Sequence, residues 1–392
     1  MVFDDVPGSI KHLSIVFALC YFGSSVIWMF LPVFFEQVVD NVFLVGVLTS
    51  IPAFTTLFMD MPIANMIQRM DAKFLAFTGV LMFSLPGLIY FTAFVPLLFL
   101  GKVVEGVSKT LRWESGWFLA MTESNSQNES ESIAVFGLGK SVAEIFGPVI
   151  GGLVIFYFGF RHGLILWSLL GFSAAVFFYK YLGFSVDRLS DAFSSVFKKK
   201  TYSDDWKHLK ENWESMRWAV MLILLQSFLF SFFWVAVPLM MEEIGANYIE
   251  MGVLFGLISI PSTLQVYVGR WADKVGWLNA VKVLSLILVP VLAITAFMES
   301  IVTAGLLILF SMALTISMGP VLHSFFDKSV DDSVEGEMVG VLELFKHSGQ
   351  FLGPFMAGSV ASAFGISNSF IFAAFLSLLL FSGVSFVSFF VE

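Results

Sequence analysis

Leu138-Gly139-Lys140-Ser141, followed by Gly147-Pro148, returns 206 positions later as Leu344-Phe345-Lys346-His347, followed by Gly353-Pro354. Each stretch sets one cation deep inside an apolar segment of helix length. The same offset of 206 positions relates four further pairs: Trp28 to Trp234, Pro32 to Pro238, Glu36 to Glu242, and Gly46 to Gly252. The chain is therefore a duplicated unit with a buried charge in each copy, a pattern typical of membrane transport proteins.

The composition indicates an all-α integral membrane protein. Hydrophobic residues make up 58% of the 392 positions and charged residues 13%, whereas soluble domains are about half apolar and a quarter charged. Apolar runs long enough to span a bilayer as helices recur along the chain. They predict twelve transmembrane helices in lipid, at roughly 12–35, 41–67, 74–93, 96–122, 132–158, 163–184, 217–241, 249–271, 278–297, 301–325, 336–363 and 368–390.

These spans divide into two six-helix halves, residues 1–185 and 216–392, joined by a cytoplasmic linker at 186–215. Of the 21 Lys and Arg residues, only Arg161 falls in a loop that follows an odd-numbered span. Because positive residues stay on the cytoplasmic side, both termini and the linker are predicted to be cytoplasmic, in a multi-pass protein of the cell membrane. Trp206, Leu209 and Trp213 follow helical spacing, so the linker is either a surface amphipathic helix or a plain connection.

Several classes of function lack their sequence signals. The phosphate-binding G-x-x-x-x-G-K-[ST] pattern, HExxH and CxxC do not occur, and Cys20 is the single cysteine. We therefore expect no enzyme activity, no ATP drive, no cofactor, no metal site and no nucleic-acid binding.

Four ionisable residues form a stripe on span four: Lys102, Glu105, Lys109 and Arg112. Their spacing of i, i+3, i+7 and i+10 puts them on one helix face. Each would cost about 2.5–3.5 kcal/mol or more facing lipid near the bilayer centre. The stripe must therefore face other helices or water.

Span five carries Lys140 and Glu144, which we expect to pair across the helices with Glu105 and Lys102, respectively. Two interpretations remain open: a static network that fixes helix register, or a site where a carboxylate exchanges a proton or meets substrate. In the second interpretation Glu105 is the expected proton carrier. The surplus charge of Lys109 and Arg112 could then attract an anionic substrate group.

The second half carries Glu343, Lys346 and His347 in one sector of span eleven. His347 could titrate near neutral pH, or it could be a hydrogen-bonded packing residue. Trp28 and Trp234 either line a pathway or belong to the interfacial aromatic belt.

Three motifs resemble those of the major facilitator superfamily over essentially the whole chain. Gly269, Asp273 and Lys274 follow the loop pattern G-x-x-x-D-[RK]-x-G, and the matching first-half turn keeps Arg69 but has Ala64 for Gly and Gln68 for Asp. On span four, Leu98, Lys102, Glu105 and Gly106 are similar to L-x-x-x-R-x-x-Q-G, which is linked to proton coupling in drug/proton antiporters. The exporter motif G-x-x-x-G-P-x-x-G-G is similar to a run on span five with Ala143 for the first glycine: Gly147, Pro148, Gly151 and Gly152.

The resemblance implies the major facilitator fold, a cavity between the two halves, and alternating access. The function it favours is proton-coupled efflux of small amphipathic or aromatic molecules, with protons as the coupling ion and the chain acting as a monomer. One alternative is a proton symporter that imports an organic anion. Another is a non-transporting membrane receptor or scaffold.

Overall fold

The computed structural model describes residues 6–124, 129–185, 203–330 and 335–391, in which the regular elements are helices, as predicted. A short 3-10 helix covers Trp28–Phe30. The α-helices are α1 (Gly8–Ser25), α2 (Leu31–Val39), α3 (Val42–Ile67), α4 (Ala72–Phe83), α5 (Leu85–Phe91), α6 (Val95–Thr122), α7 (Glu129–Phe158), α8 (Phe160–Tyr181), α9 (Ser203–Glu243), α10 (Tyr248–Ile258), α11 (Pro261–Val275), α12 (Trp277–Thr295), α13 (Ile301–Ser329), α14 (Glu335–Phe364) and α15 (Ile366–Val391).

Each of the twelve predicted spans coincides with one helix or with consecutive helices. Within the described part of the chain, nine such segments are long and apolar enough to cross a membrane. The other three predicted spans are also helical: α6, which carries the charged stripe, the pair α10 and α11, and α14. The all-α membrane architecture predicted from the sequence is confirmed.

Proline and glycine explain where several helices begin and end. Span three breaks at Ser84, and Pro86 lies in the first turn of α5. Pro261 begins α11 in the same way, because proline lacks the N–H that would continue the preceding helix. Gly159 and Gly276 adopt positive φ angles of 82° and 88°, which only glycine tolerates well, and they turn the chain into α8 and α12.

The chain forms two compact units, and their membership differs from a simple division into halves. Unit 1 contains Met1–Leu31, Thr55–Thr201 and Tyr248–Gly256, whereas unit 2 contains Pro32–Phe54, Tyr202–Asn247 and Leu257–Glu392. The division into halves at 186–215 stays a prediction. Of that segment, 203–215 forms the first part of α9, and 186–202 lies outside the described residues.

A glycine contact attaches α10 to α7 in unit 1. A Cβ on Gly152 would collide with the carbonyl oxygen of Tyr248, and one on Gly252 would lie 2.5 Å from the carbonyl oxygen of Pro148. The two backbones can approach this closely only because both positions lack a side chain.

Unit 2 repeats the contact with the equivalent residues. A Cβ on Gly46 of α3 would lie 2.6 Å from the carbonyl oxygen of Pro354 and 2.7 Å from the Cα of Gly358 on α14. Gly46 and Gly152 are each 206 positions from their counterparts Gly252 and Gly358. The duplication in the sequence is therefore also a duplication of close helix packing.

Candidate functional site

The charged stripe of α6 faces the protein interior, as its spacing predicted. Lys102, Glu105 and Arg112 are 2%, 8% and 5% exposed, and Lys109 is half-buried. Three charged groups at this depth need compensation from polar partners or from aromatic rings. Lys102 and Glu105 compensate each other, whereas Arg112 lies among aromatic rings.

Glu105 is compensated inside unit 1 by two neighbours. Its Oε2 atom lies 2.9 Å from Lys102 Nζ and accepts a hydrogen bond of 2.7 Å from the hydroxyl of Tyr90 on α5. Tyr90 is fully buried, and the Lys102 ammonium lies 5.5 Å from the centroid of its ring. Sequence reasoning missed Tyr90, whose only signal was a phenol inside an apolar span.

The predicted pairing of Glu105 with Lys140 is wrong. Lys140 Nζ lies 5.0 Å from the ring of Trp113, which is about two helical turns along α6 from Glu105. Trp113 lies about two and a half turns before the end of α6 at Thr122, and Lys140 about three turns after the start of α7 at Glu129. Their contact puts Lys140 level with Trp113 and not with Glu105.

Lys140 pairs with Glu144 on its own helix instead. Their charged atoms are 3.8 Å apart, and the two side chains are 38% and 39% exposed. The ammonium also lies 5.7 Å from the ring of Tyr21, while Trp113 stacks on Trp117 with centroids 5.8 Å apart. An accessible ion pair beside aromatic surfaces thus occupies the middle of α7.

Arg112 is surrounded by aromatic rings from α1 and α4. Its guanidinium carbon lies 4.4 Å from the ring centroid of Phe83, 5.0 Å from that of Tyr21 and 5.8 Å from that of Phe17. The Nε and Nη1 atoms of Arg112 have no hydrogen-bond partner among the described residues. Sequence spacing could not reveal this enclosure, because its rings come from separate helices.

In unit 2, Lys346 forms a tight ion pair with Glu343. The ammonium lies 2.8 and 2.9 Å from the two carboxylate oxygens, and His347 Nε2 lies 3.7 Å from one of them. Lys140 and Lys346 are equivalent in the repeat, yet one pairs four residues ahead and the other three residues back. The duplicated cations therefore occupy different local environments.

The remaining candidates lie at helix ends and packing positions. Arg69 is exposed in the turn after α3, and Asp273 and Lys274 are exposed in the last turn of α11. A Cβ on Gly269 would meet no atom within 4 Å. Trp28 is half-exposed in the 3-10 helix, and Trp234 packs against Phe230 with ring centroids 5.6 Å apart.

On α7 the glycines of the exporter-like motif pack against two other segments, the end of α1 and the start of α10. A Cβ on Gly147 or Gly151 would collide with the end of α1, at Ser25 and Val26, whereas Gly152 faces α10. Pro148 lies inside the helix between them. No group of three or more His, Cys, Asp or Glu residues suited to a metal occurs in the parts of the chain that the structure describes.

Several solved structures share the fold. The nucleoside transporter NupG, as a mutant form, superposes with a TM-score of 0.79 at 11% identity, covering 96% of this chain and 99% of that one. A bacterial homologue of the human lysosomal transporter Spinster gives 0.76 at 15% identity, covering 97% and 96%. The human organic anion transporter MFSD10 gives 0.63 at 17% identity, covering 96% and 100%.

A comparison with curated protein sequences found no match. The sequence profile of the Major Facilitator Superfamily, in contrast, matches residues 13–354, which is most of the chain. With the membrane-length helices and the shared fold, this confirms the resemblance carried by the three motifs. The chain therefore belongs to the Major Facilitator Superfamily and is a multi-pass membrane transporter of small molecules.

Proposed function

We propose that this transporter exports small amphipathic or aromatic organic molecules by alternating access, driven by protons. The observation that carries the proposal is the accessible Lys140–Glu144 pair in the middle of α7. The pair is flanked on α7 by a run of apolar residues of membrane-spanning length.

Side chains this exposed must meet water or substrate. A charge near the bilayer centre costs about 2.5–3.5 kcal/mol or more when it faces lipid. The pair therefore favours a polar pathway along this face of α7. Tyr21 and Trp113 lie beside Lys140, and such rings offer apolar contact with polar groups at their edges. A molecule that is partly aromatic and partly polar suits this surface.

Glu144 is the better candidate for the proton carrier, although the sequence favoured Glu105. Glu105 is almost fully buried and is held by Lys102 and Tyr90, which supports a structural role. Glu144 is more than a third exposed, and its ion pair of 3.8 Å is too long for a strong hydrogen bond. A proton can reach it without breaking a buried network.

The proposed outward direction rests on the exporter-like motif of Gly147, Pro148, Gly151 and Gly152. The second candidate is import of an organic anion with protons, which is favoured by the buried guanidinium of Arg112. We also propose that the transporter acts as a monomer in the cell membrane. The Lys and Arg distribution supports a cytoplasmic location for both termini.

Proteoliposomes with an internal pH dye test the function. Purified protein is reconstituted, a pH gradient is imposed, and a panel of aromatic amines, neutral aromatics and aromatic acids is added in turn. We expect at least one compound to dissipate the gradient faster than in protein-free vesicles. Compound flux without proton movement would contradict proton coupling. Binding without any flux would favour the receptor alternative.

A further inference from the structure

We propose that Arg112 is the binding site for a carboxylate on the substrate, so that the transported molecules are aromatic carboxylates. This inference rests on the proposed function, since it names the substrate class of the same site. It concerns residues of unit 1 alone, on α1, α4, α6 and α7.

Arg112 carries a positive charge inside the protein. An arginine remains protonated in proteins, so a full positive charge lies at a position that is 5% exposed. Its Nε and Nη1 atoms have no hydrogen-bond partner among the described residues. Buried charges are normally paired and hydrogen-bonded, and this one has donors in reserve.

Three aromatic rings lie around the guanidinium of Arg112. Phe83, Tyr21 and Phe17 present rings within 4.4–5.8 Å, close enough for cation–π attraction. Rings offset part of the cost of burial but fill none of the donor positions. A carboxylate would add charge-assisted hydrogen bonds, the strongest kind that a guanidinium makes.

An anion could reach Arg112 past Lys140 and Tyr21. Tyr21 is half-buried and lies against both Arg112 and Lys140, at 5.0 and 5.7 Å from its ring centroid. Lys140 is more than a third exposed, so it can meet an incoming anion first. Glu144 lies 3.8 Å from the Lys140 ammonium, which puts the proposed proton carrier in the same neighbourhood.

The ligand class follows from these groups together. Two cations select an anion, and a planar carboxylate matches the planar guanidinium. The rings of Phe17, Phe83 and Trp113 favour an aromatic body on that anion.

Calorimetric titration of the detergent-solubilised protein tests the inference with 2-naphthoate and its neutral analogue 2-naphthamide. We expect the wild type to bind naphthoate at least about tenfold tighter, equivalent to ~1.4 kcal/mol. Arg112→Gln should abolish that preference, and Arg112→Lys should keep part of it. Arg217→Gln is the matched control, because Arg217 lies on α9 in an exposed pair with Glu214 and should leave the preference unchanged.

Equal binding of the two compounds by the wild type would overturn the inference, even if Arg112→Gln failed to fold. A preference that survives in folded Arg112→Gln would overturn it as well. The proton assay separates this result from the proposed function. Proton flux with neutral aromatics and no naphthoate preference would refute the carboxylate site alone. Naphthoate binding through Arg112 without proton flux for any compound would refute the proton-coupled function alone.

Discussion

Removing one member of the Lys102–Glu105 pair should destabilise the protein far more than removing both. Lys102→Met would leave the Glu105 carboxylate, whose side chain is 10% exposed, with the Tyr90 hydroxyl as its one partner among the described residues. Breaking a buried ion pair in this way costs about 3–5 kcal/mol, because one charge stays buried without compensation. Lys102→Met with Glu105→Gln leaves no charge behind and should recover at least about 2 kcal/mol of that loss.

An exposed pair with the same spacing provides the control. Glu214 and Arg217 lie 2.8 Å apart at i, i+3, with side chains 79% and 38% exposed. Solvent screens such pairs, so Glu214→Gln should cost about 1 kcal/mol or less. Lys102→Met, Glu105→Gln, their double variant, Glu214→Gln and the wild type are compared by the midpoint of denaturant-induced unfolding in detergent, followed by tryptophan fluorescence. If the two changes at Lys102 and Glu105 were simply additive, the pair would not be the source of stability and the structural role of Glu105 would be refuted.

Two further predictions concern packing and topology. Gly152→Val should lower the unfolding midpoint and abolish transport, because its side chain would collide with the backbone of α10. Gly340→Ala, at a position where a Cβ would meet no atom within 4 Å, should leave both unchanged, and equal effects of the two changes would refute the packing role. In a cysteine-free background, a membrane-impermeant thiol reagent added outside intact cells should label Asn368→Cys and leave Asn279→Cys unlabelled, since the Lys and Arg distribution puts the first outside. The reverse labelling would invert the orientation.

The fold could be read from the sequence because its signals are local or periodic. Apolar runs mark the helices, and the offset of 206 positions marks the duplication. That offset also joins Gly46 to Gly252, which occupy equivalent glycine contacts in the two units. What the offset could not reveal is which segment belongs to which compact unit, since that depends on contacts between distant parts of the chain.

The site was predictable only within single helices. The spacing of Lys102, Glu105 and Arg112 correctly put them on one buried face. The partners across helices depend on how neighbouring helices align along their lengths. The expected pairing of Glu105 with Lys140 failed because Lys140 lies beside Trp113 of α6 instead. Partners within a helix, as in Lys140 with Glu144, follow from i, i+4 spacing alone.

The aromatic enclosure of Arg112 had no sequence signal at all. Phe17, Tyr21 and Phe83 lie on two helices that are distant in sequence from α6, in a chain with 47 phenylalanines. Most phenylalanines in such a chain face lipid or pack with other helices. Only the three-dimensional arrangement distinguishes the rings that surround a charge.

Uphill transport by Glu144→Gln tests proton-coupled transport along the Lys140–Glu144 face. Vesicles containing either wild type or Glu144→Gln are incubated with a compound that the wild type moves, and both are given the same pH gradient. We expect the variant to exchange compound down its concentration gradient but not to concentrate it, with no change in the internal pH dye. Glu299→Gln, a change at an exposed acid between α12 and α13, should behave as wild type. Accumulation of the compound by Glu144→Gln at the wild-type level would show that Glu144 is not the proton carrier.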